Sequence, residues 1–593
     1  MVRGTWLLVA LPLLLAAFTV ARPQPLPPPT LPAGFDAATA AQLGRELARD
    51  YPDRAPGSAG GLGAAAWIED QFALYGLRPQ TDRFSARIPE RGRVALQNVS
   101  AVVRGASPRT IVITAHRDNS GEGRGANDNA SGTGALIEIA RAYAPVAGTL
   151  VQARPEHTLR FVSTDGGAFG ALGADRLAER VPGRETTVAV ISLDAVGGAG
   201  PPRLLIGGDT ARSPAAELVR TAAMRVLEQS GREPVRARAL RQLLDLGFPF
   251  TLGEQGPFVA RGIPAVTLTT LPDAPSAGFA DVALDPGRLG ELGRAAQNVV
   301  GSLDAGLELG GATGSYIYLG SRIVRGWTIQ LVLIASLLPF GIGAIDLFAR
   351  CRRRRIPLRA AALALRHRLL FWGYVGLLLF VAARLGAFPE GEARPLPPAA
   401  STYEPSPVVL VSLAALTFVG WLVSRERLIP RRAAALEETL AGHTVALLAL
   451  GLVALLVVAT SPYSLVYLLP SLYAWLWLPQ AHDGAPPLRL ALLVVGFAGP
   501  LLLLLSFATR FDLGFATPWY LLSLVAVGYV PWLAVLLAAG WLGVAGQLAA
   551  LASGRYAPYD RRRRRRRSDT TAGMLRRLGG RRATGEERDA LEG

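Results

Sequence analysis

Hydrophobic residues follow two different patterns along this chain. Up to about Gly320 they occur in short runs between charged residues, as in a globular domain. From about Trp327 they form Leu-, Ala- and Val-rich runs long enough for a bilayer, which a helix crosses with roughly 20 residues. The pattern therefore predicts a globular domain followed by a helical membrane domain, with the boundary near Trp327.

The second half contains seven apolar segments that we interpret as membrane-spanning helices. They cover residues 327–348, 369–387, 408–423, 445–458, 465–478, 488–505 and 519–548. Pro531 would divide the last segment into two, but one kinked helix keeps the arginine-rich tail on the inner side of the membrane. At the amino terminus, the apolar run 6–20 is a signal peptide or an uncleaved anchor, and an anchor makes eight spans.

Arginine clusters give these segments an orientation. The clusters at 352–355, 425–432 and 561–567 alternate with an acidic loop around Glu390 and Glu392. Since arginine-rich loops stay in the cytoplasm, we predict a multi-pass cell-membrane protein with its globular domain outside the cytoplasm. The predicted regions are a signal segment at 1–22, a Pro-rich linker at 23–34, a globular domain at 35–315, a membrane domain at 325–550 and a basic cytoplasmic tail at 551–593.

The formal net charge of +17 does not change this interpretation. The run of seven arginines at 561–567 is typical of a topology determinant beside a membrane span, although it also suits anionic lipid or nucleic acid. We predict no nucleic-acid partner. The single cysteine, Cys351, excludes an intramolecular disulfide.

Candidate chemistry lies at the ends of apolar runs in the globular domain. His116 and Asp118 follow the run 111–113, Asp128 lies in a Gly-rich loop before a helix, and Asp194 ends the run 188–193. The carboxyl ends of strands meet at one edge of an α/β sheet, and His and Asp are zinc ligands. We predict His116, Asp128 and Asp194 as metal ligands, with Asp118 orienting the imidazole. A structural histidine and a helix cap are the alternatives.

With other short segments in the same order, these residues resemble the zinc aminopeptidase and glutamate carboxypeptidase family of two-zinc exopeptidases. The segments are RAPGS at 54–58, AAAWI at 64–68, NVSA at 98–101, SLD at 192–194, GPF at 256–258 and GIPA at 262–265. The resemblance implies the α/β fold class, in a three-layer domain with a mixed central sheet. It also implies that His116 and Asp194 bind one zinc, that Asp128 bridges two, and that the Asp128–Asn129 peptide bond is cis.

The chain departs from that family at residues that carry out the reaction. Aligning residues 170–173 with the family's Gly-Leu-Leu-Gly segment puts Gly167 and Ala168 where the family has Glu-Glu, its general base and a ligand of the other zinc. No histidine between His157 and His367 supplies the second histidine ligand. We therefore predict at most one zinc. Asp165 is a candidate substitute base because positions two apart in a strand face the same side.

The prediction for function is a membrane-anchored, peptidase-like domain that binds a substrate or partner without ordinary hydrolase activity, since peptide hydrolysis needs a base and an acid besides zinc. The architecture is similar to the metallopeptidase-like subunit of the glycolipid-anchor transamidase, which implies a polypeptide partner, contact with the lipid bilayer and possible membrane-complex subunits. The alternatives are an active zinc exopeptidase that uses a displaced acid, and a transporter with an exported accessory domain.

Overall fold

A mixed β-sheet forms the centre of the amino-terminal domain. The computed structural model describes residues 10–556, with gaps at 11, 15–16, 18, 122, 145–153, 182, 184, 273–281, 306–308, 310–311, 399–405, 430–433, 484–485 and 555. Within these residues the sheet contains β1 (Gln80–Ile88), β2 (Gly92–Val103), β3 (Ser107–His116), β4 (His157–Thr164), β5 (Thr187–Asp194), β6 (Arg203–Leu205) and β7 (Ala265–Thr269). Their order across the sheet is β1-β2-β4-β3-β5-β7-β6.

Strand direction places several chain ends at one edge of the sheet. The central strands β4, β3, β5 and β7 are parallel to one another, whereas β1, β2 and β6 pair antiparallel with their neighbours. His116, Thr164, Asp194 and Thr269 are the last residues of these four parallel strands. Because parallel strands end at the same edge, the predicted ligands on β3 and β5 are brought to one place.

Helices cover both faces of the sheet. One face packs against α1 (Ala37–Asp50), α2 (Ala59–Leu74), α3 (Gly132–Tyr143), α5 (Ala216–Ser230) and α8 (Pro286–Asp304). The other face packs against α4 (Leu172–Arg180) and α7 (Gln255–Ala260). Ile111 and Ile113 face the first layer and Val112 faces the second, as the alternation of a strand requires. The predicted fold class, a three-layer α/β domain with a mixed sheet, is confirmed.

Five apolar helices after the domain are long enough to cross a membrane. They are Gly326–Arg353, made of α9 (Gly326–Ala335) and α10 (Leu337–Arg353), then α11 (Arg359–Arg384), α12 (Pro407–Leu428), α13 (Leu436–Thr460) and α18 (Leu533–Ala552). A sixth candidate is the pair α15 (Pro486–Val495) and α16 (Ala498–Arg510), which is bent by 50°. These counts apply to the described residues. The predicted anchor at 6–20 and the arginine run at 561–567 lie wholly or largely outside them.

Two of the predicted spans have a different structure. Residues 465–478 fall in a 3-10 helix, Pro462–Tyr467, and a nine-residue helix, α14 (Leu469–Trp477). Nine residues of helix extend roughly 14 Å, about half the apolar thickness of a bilayer. The predicted kinked helix at 519–548 is two helices, α17 (Thr517–Ala526) and α18. Pro531 lies in the break, where it has no amide hydrogen to donate, and Gly528 has a φ of +88°.

The helical part is attached to the sheet domain by polar contacts as well as by the chain. A hairpin of β8 (Tyr316–Leu319) and β9 (Arg322–Arg325) leads directly into α9. The Ser464 hydroxyl donates to the carbonyl of Gly247 at 2.6 Å, and Tyr467 donates to the carbonyl of Leu244 at 2.9 Å. Both carbonyls belong to α6 (Ala239–Gly247), so this helix forms part of the junction.

Candidate metal centre

His116 ends β3 with its imidazole almost fully buried, at 5% exposure. Its Nδ1 atom lies 3.1 Å from the backbone oxygen of Asp118. A carbonyl oxygen can only accept a hydrogen bond, so in the neutral imidazole Nδ1 carries the hydrogen and Nε2 offers its lone pair. Nε2 faces Asp128 Oδ1 and Asp194 Oδ1, each at 3.4 Å. This is the arrangement of a metal-binding histidine whose other nitrogen is fixed by the backbone.

The turn that carries Asp128 is tied to the end of β5. Asp128 lies in the turn Ala126–Ser131, just before α3, where Asp128 and Asn129 have non-helical backbone angles, and the Asp128–Asn129 peptide bond is cis as the resemblance implies. The Asn129 amide donates to the carbonyl of Leu193 at 2.9 Å, and its oxygen accepts from the backbone amides of Gly132 and Ala195 at 3.0 and 2.8 Å. One buried side chain therefore sets the distance between Asp128 and Asp194.

A buried guanidinium holds the loop that precedes this turn. Arg54 has no exposed surface, and it donates to the carbonyls of Arg117 and Tyr51 at 2.8 Å and of Arg124 and Gly125 at 2.9 Å. The charged donor thus satisfies buried carbonyl groups at the end of α1 and in the loop that leads to Asp128. Arg54 belongs to the RAPGS segment on which the family resemblance partly rests.

The three predicted ligands fit a single zinc ion. His116, Asp128 and Asp194 each offer a ligand atom, and these atoms lie within 4.8 Å of one another. Tetrahedral zinc with bonds of roughly 2.0–2.1 Å separates its ligand atoms by roughly 3.3–3.4 Å, and the two Nε2–Oδ1 distances are 3.4 Å. Zinc held here would act as a Lewis acid on a carbonyl group of a bound molecule. The ligand role stays a prediction, but the geometry suits it.

Burial and charge act together on this cluster. Burial lowers the pKa of His116, but hydrogen bonds to Asp118 and Asp194 outweigh it and raise the pKa well above its ordinary value. Burial and the nearby charge of Asp194 raise the pKa of Asp128 to about 7. The carboxylates of Asp128 and Asp194 are partly buried, at 24% and 16% exposure, and they repel each other, so a divalent cation between them would remove that repulsion.

Asp118, the predicted orienting residue, holds more than the imidazole. Its carboxylate accepts hydrogen bonds from the backbone amides of Gly167 at 2.8 Å and Ala168 at 3.0 Å, and it lies 3.5 Å from His116 Nδ1. Burial raises the pKa of Asp118, but the interactions with His116 and the two amides lower it by more. The pKa therefore lies below its ordinary value, and the carboxyl group favours its ionised form. The closest contact to the imidazole is made by the Asp118 backbone oxygen rather than by its carboxylate.

Gly167 packs directly against the histidine. A Cβ atom built at Gly167 would lie 2.2 Å from His116 Cγ and 2.3 Å from His116 Cβ, far inside van der Waals contact. The clash is with the base of the ring and not with a flexible end, so no side chain fits at position 167 unless the imidazole moves. The position that the family alignment gives to the general base is thus filled by the histidine itself.

Asp165, the candidate substitute base, lies outside the ligand cluster and is already paired. Its Oδ2 atom accepts from Arg117 Nη2 at 2.8 Å and from the Gln97 amide at 3.1 Å. Asp165 follows the last residue of β4, and Gly166 after it has a φ of +73°, so the two-residue alternation of a strand does not continue to Gly167. Burial raises the pKa of Asp165, and the charge of Arg117 opposes this effect.

Sequence reasoning missed a buried carboxylate near the histidine. Glu254 is 2% exposed, and its two oxygens accept hydrogen bonds from the hydroxyls of Thr164 and Ser192, the latter at 3.0 Å. Burial raises its pKa, whereas the charge of His116 and the two hydroxyls lower it. In the sequence, the one feature that could have indicated Glu254 is its position two residues before Gly256-Pro257-Phe258, a segment on which the family resemblance rests.

The other histidine of this domain is placed away from the site. His157 is the first residue of β4, at the opposite end of the strand from Thr164, and its Nδ1 atom lies 3.6 Å from Asp304. Within the described residues, it therefore supplies no ligand to the cluster of His116, Asp128 and Asp194.

Comparisons with known proteins identify the domain. Residues 98–281 match the model of Peptidase family M28. The alkaline phosphatase isozyme conversion protein of Escherichia coli (strain K12) is 30% identical over 174 residues, which cover 25% of this chain and 48% of that protein. A probable zinc metalloprotease of Leptosphaeria maculans is 28% identical over 258 residues, 35% of this chain and 56% of that protein. The chain thus spans about half the length of these curated relatives.

A solved aminopeptidase structure is among those that this chain resembles. The aminopeptidase from Aneurinibacillus sp. strain AM-1 is 15% identical, with a TM-score of 0.38, and the match covers 46% of this chain and 95% of that one. The family match confirms the sequence-based recognition of an aminopeptidase-type metallopeptidase domain. The loss of the catalytic acids and the likeness to a transamidase subunit stay predictions.

Proposed function

We propose that this protein, whose residues 98–281 match Peptidase family M28, is a membrane-held, peptidase-like protein that binds one zinc ion and a peptide or polypeptide partner without ordinary hydrolysis. The main support for the proposal is the contact of Gly167 with His116. Because of this contact, no space remains for a carboxylate at the position of the family's base, whereas the three residues that suit one zinc ion are all present.

The nearby carboxylates support the absence of hydrolysis. A base must take a proton from the attacking water, and losing such a group typically costs about two to four orders of magnitude in rate. Asp118 is bonded to two backbone amides, Asp165 is paired with Arg117, and Glu254 is enclosed by two hydroxyls. Each is held by donors that favour its present position over contact with a bound water.

What remains suits binding. His116, Asp128 and Asp194 would hold zinc, and zinc would polarise a carbonyl or accept a carboxylate of a peptide. The sheet edge that carries them is the usual ligand-binding edge of an α/β domain. A polypeptide partner fits this edge, and the helical part fits a role in presenting that partner at the membrane.

The helical part supports placement in the cell membrane. The last turn of α10 carries Arg350, Arg352 and Arg353, and that of α12 carries Arg425 and Arg427. Clusters of arginine beside a span favour the cytoplasmic side. Since the span Gly326–Arg353 begins with α9 next to the sheet domain and ends at the first of these clusters, we assign the domain to the outer side and the carboxyl tail to the cytoplasm.

Zinc stoichiometry and peptidase activity test this proposal together. The full chain would be purified in detergent, stripped with a mild chelator and reconstituted with zinc, beside His116→Ala and the matched control His157→Ala. We expect one zinc in the wild type and the control, none in His116→Ala, and no zinc-dependent hydrolysis of aminoacyl or peptide substrates. Two zinc ions, or hydrolysis that His116→Ala abolishes, would establish an active exopeptidase instead. No zinc in any variant would leave a metal-free scaffold.

A further inference from the structure

A cavity at the junction of the two parts of the chain is lined by arginine. It has a volume of about 310 Å³ and lies between β6, α6 and the end of α16. Its cationic lining residues are Arg203, Arg212, Arg236, Arg238, Arg241 and Arg510. Asp245 is the only carboxylate among the described lining residues, which leaves an excess of five positive charges.

Asp245 is shared between two of these arginines. Its Oδ1 atom lies 3.3 Å from Arg510 Nη1, and its Oδ2 atom lies 3.8 Å from Arg241 Nε. Both guanidinium groups are therefore held at this cleft by the same carboxylate. Several like charges gathered at one cleft create a positive potential that attracts an anion from solution.

Arg236 points to a ligand independently of the charge count. Its side chain is 13% exposed, and its guanidinium lies over the ring of Tyr318, 4.8 Å from the ring centre. The Glu233 carboxylate lies 4.0 Å from Nη2, and the buried Nη1 atom has no hydrogen-bond partner among the described residues. Protein neighbours therefore satisfy this guanidinium only in part, and its positive charge adds to the attraction for an anion in the cavity that Arg236 lines.

The walls of the cavity indicate what kind of molecule the anionic group belongs to. Leu246 and Phe250 line it beside the arginines, and the Phe250 ring packs against Phe507 and Phe511 at 5.3 Å in the apolar α16 region. Arg510 is the last residue of α16. A ligand with a charged group and an apolar portion therefore meets both kinds of surface here.

We propose that this cavity binds a phosphate group, presented by the headgroup of an anionic membrane lipid. Guanidinium groups bind phosphate oxygens in pairs, and several converging arginines are typical of phosphate recognition. The choice of a lipid rests on the membrane placement proposed above, whereas phosphate recognition does not. Neither part depends on zinc, so zinc content can vary independently of lipid binding.

The test compares pocket variants with a neighbouring arginine. The full chain carries Arg236→Gln with Arg238→Gln, and the matched control is Arg232→Gln, an exposed arginine outside the cavity lining. Each protein is placed in nanodiscs of phosphatidylcholine, with and without phosphatidylglycerol, and retained lipid is counted by native mass spectrometry. A detergent arm measures the shift in Tm caused by inorganic phosphate. The arginine tail is the same in all variants, so differences report on the cavity.

We expect retained phosphatidylglycerol in the wild type and in Arg232→Gln, and about tenfold or greater loss of affinity in the pocket variant. Stabilisation by inorganic phosphate without lipid retention would support phosphate recognition and overturn the lipid source. Equal lipid and phosphate binding in all three proteins would overturn the site itself. The Tm of each variant without added phosphate serves as the folding check, so the test does not depend on the proposed zinc site, and Arg212→Gln with Arg238→Gln replaces two exposed side chains should the first variant fail to fold.

Discussion

The contact of Gly167 with His116 gives the most direct prediction. In Gly167→Ala the new methyl carbon would lie 2.2 Å from His116 Cγ, so the imidazole or the 166–168 segment must move by more than an ångström to reach a normal carbon–carbon distance of roughly 3.5–4.0 Å. Inserting a methyl group into a packed core typically costs about 1–3 kcal/mol. The imidazole is also a predicted ligand, so part of this cost falls on zinc binding.

The size of the effect on zinc follows from the geometry. Nε2 is 3.4 Å from both carboxylate oxygens, and this spacing suits tetrahedral zinc. A movement of the imidazole by more than an ångström would take Nε2 out of this geometry. Disturbing the groups that orient a metal-binding histidine typically costs about 10- to 100-fold in affinity, and tenfold corresponds to about 1.4 kcal/mol. We expect a loss in this range, measured by competition with a chromophoric chelator.

A matched glycine controls for the loss of backbone freedom. A methyl carbon added at Gly34 would have no atom within 4 Å, so Gly34→Ala should bind zinc as the wild type does. Unchanged zinc affinity in Gly167→Ala would refute the packing described for His116. Zinc-dependent peptide hydrolysis in Gly167→Glu would refute the stronger conclusion, that the histidine excludes a carboxylate from this position.

Three further predictions concern other contacts. Asp118→Asn should lower zinc affinity by about 10- to 100-fold, because the carboxylate lies 3.5 Å from the imidazole and holds the two amides of the segment that packs against it; chelator competition measures it, and unchanged affinity would contradict this role. Arg54→Met should lower the free energy of unfolding by about 3 kcal/mol, since several buried carbonyls lose their donor. The control Arg49→Ala, at an exposed arginine, should change the free energy of unfolding by under about 0.5 kcal/mol, and the Tm of each variant in detergent measures the difference. Arg394→Met and Asp209→Leu should each destabilise by about 3 kcal/mol and together by less than their sum, because each single change strands a buried charge; an additive double-mutant cycle would contradict this coupling.

The sequence patterns predicted the elements that form the site and missed those that fix its details. Apolar runs at 111–113 and 188–193 identified β3 and β5, because a buried strand must be apolar and its end must be where polar ligands begin. Glu254 has no periodic pattern around it, and its carboxylate becomes a neighbour of Thr164 and Ser192 only when three separate chain segments meet. Such contacts cannot be derived from local spacing.

The membrane spans show another limit of hydrophobic pattern. Residues 465–478 are as apolar as the spans on either side, yet they form short helices whose Ser464 and Tyr467 contact α6 of the sheet domain. Hydropathy indicates only that a segment is kept from water, and such a segment can be buried in a junction between two parts of a protein as well as in a lipid bilayer. Helix length distinguishes these two environments only when the sequence shows where the helix breaks, as it does at Pro531. It does not distinguish them when the break results from contacts with another part of the chain.

One segment links the altered catalytic positions to the helical part. Residues 166–173 contain Gly167 and Ala168, and they also contain Gly170, whose carbonyl accepts from Arg394 Nε at 2.9 Å. Arg394 lies in the loop between α11 and α12 and is paired with Asp209, and a Cβ atom at Gly170 would lie 2.2 Å from the Pro395 carbonyl.

This segment therefore has two sets of neighbours that exclude side chains: the imidazole at Gly167 and the α11–α12 loop at Gly170. A glutamate at position 167 would have to displace the imidazole, whereas position 170 is a glycine in the family alignment as well, so its contact with the α11–α12 loop does not depend on the predicted loss of the carboxylates. The 166–173 segment is thus held by two neighbours, His116 and the helical part, and only the contact with His116 bears on the position of the general base. We therefore expect the proposed lack of hydrolysis to depend on Gly167 and not on the attachment of the helical part.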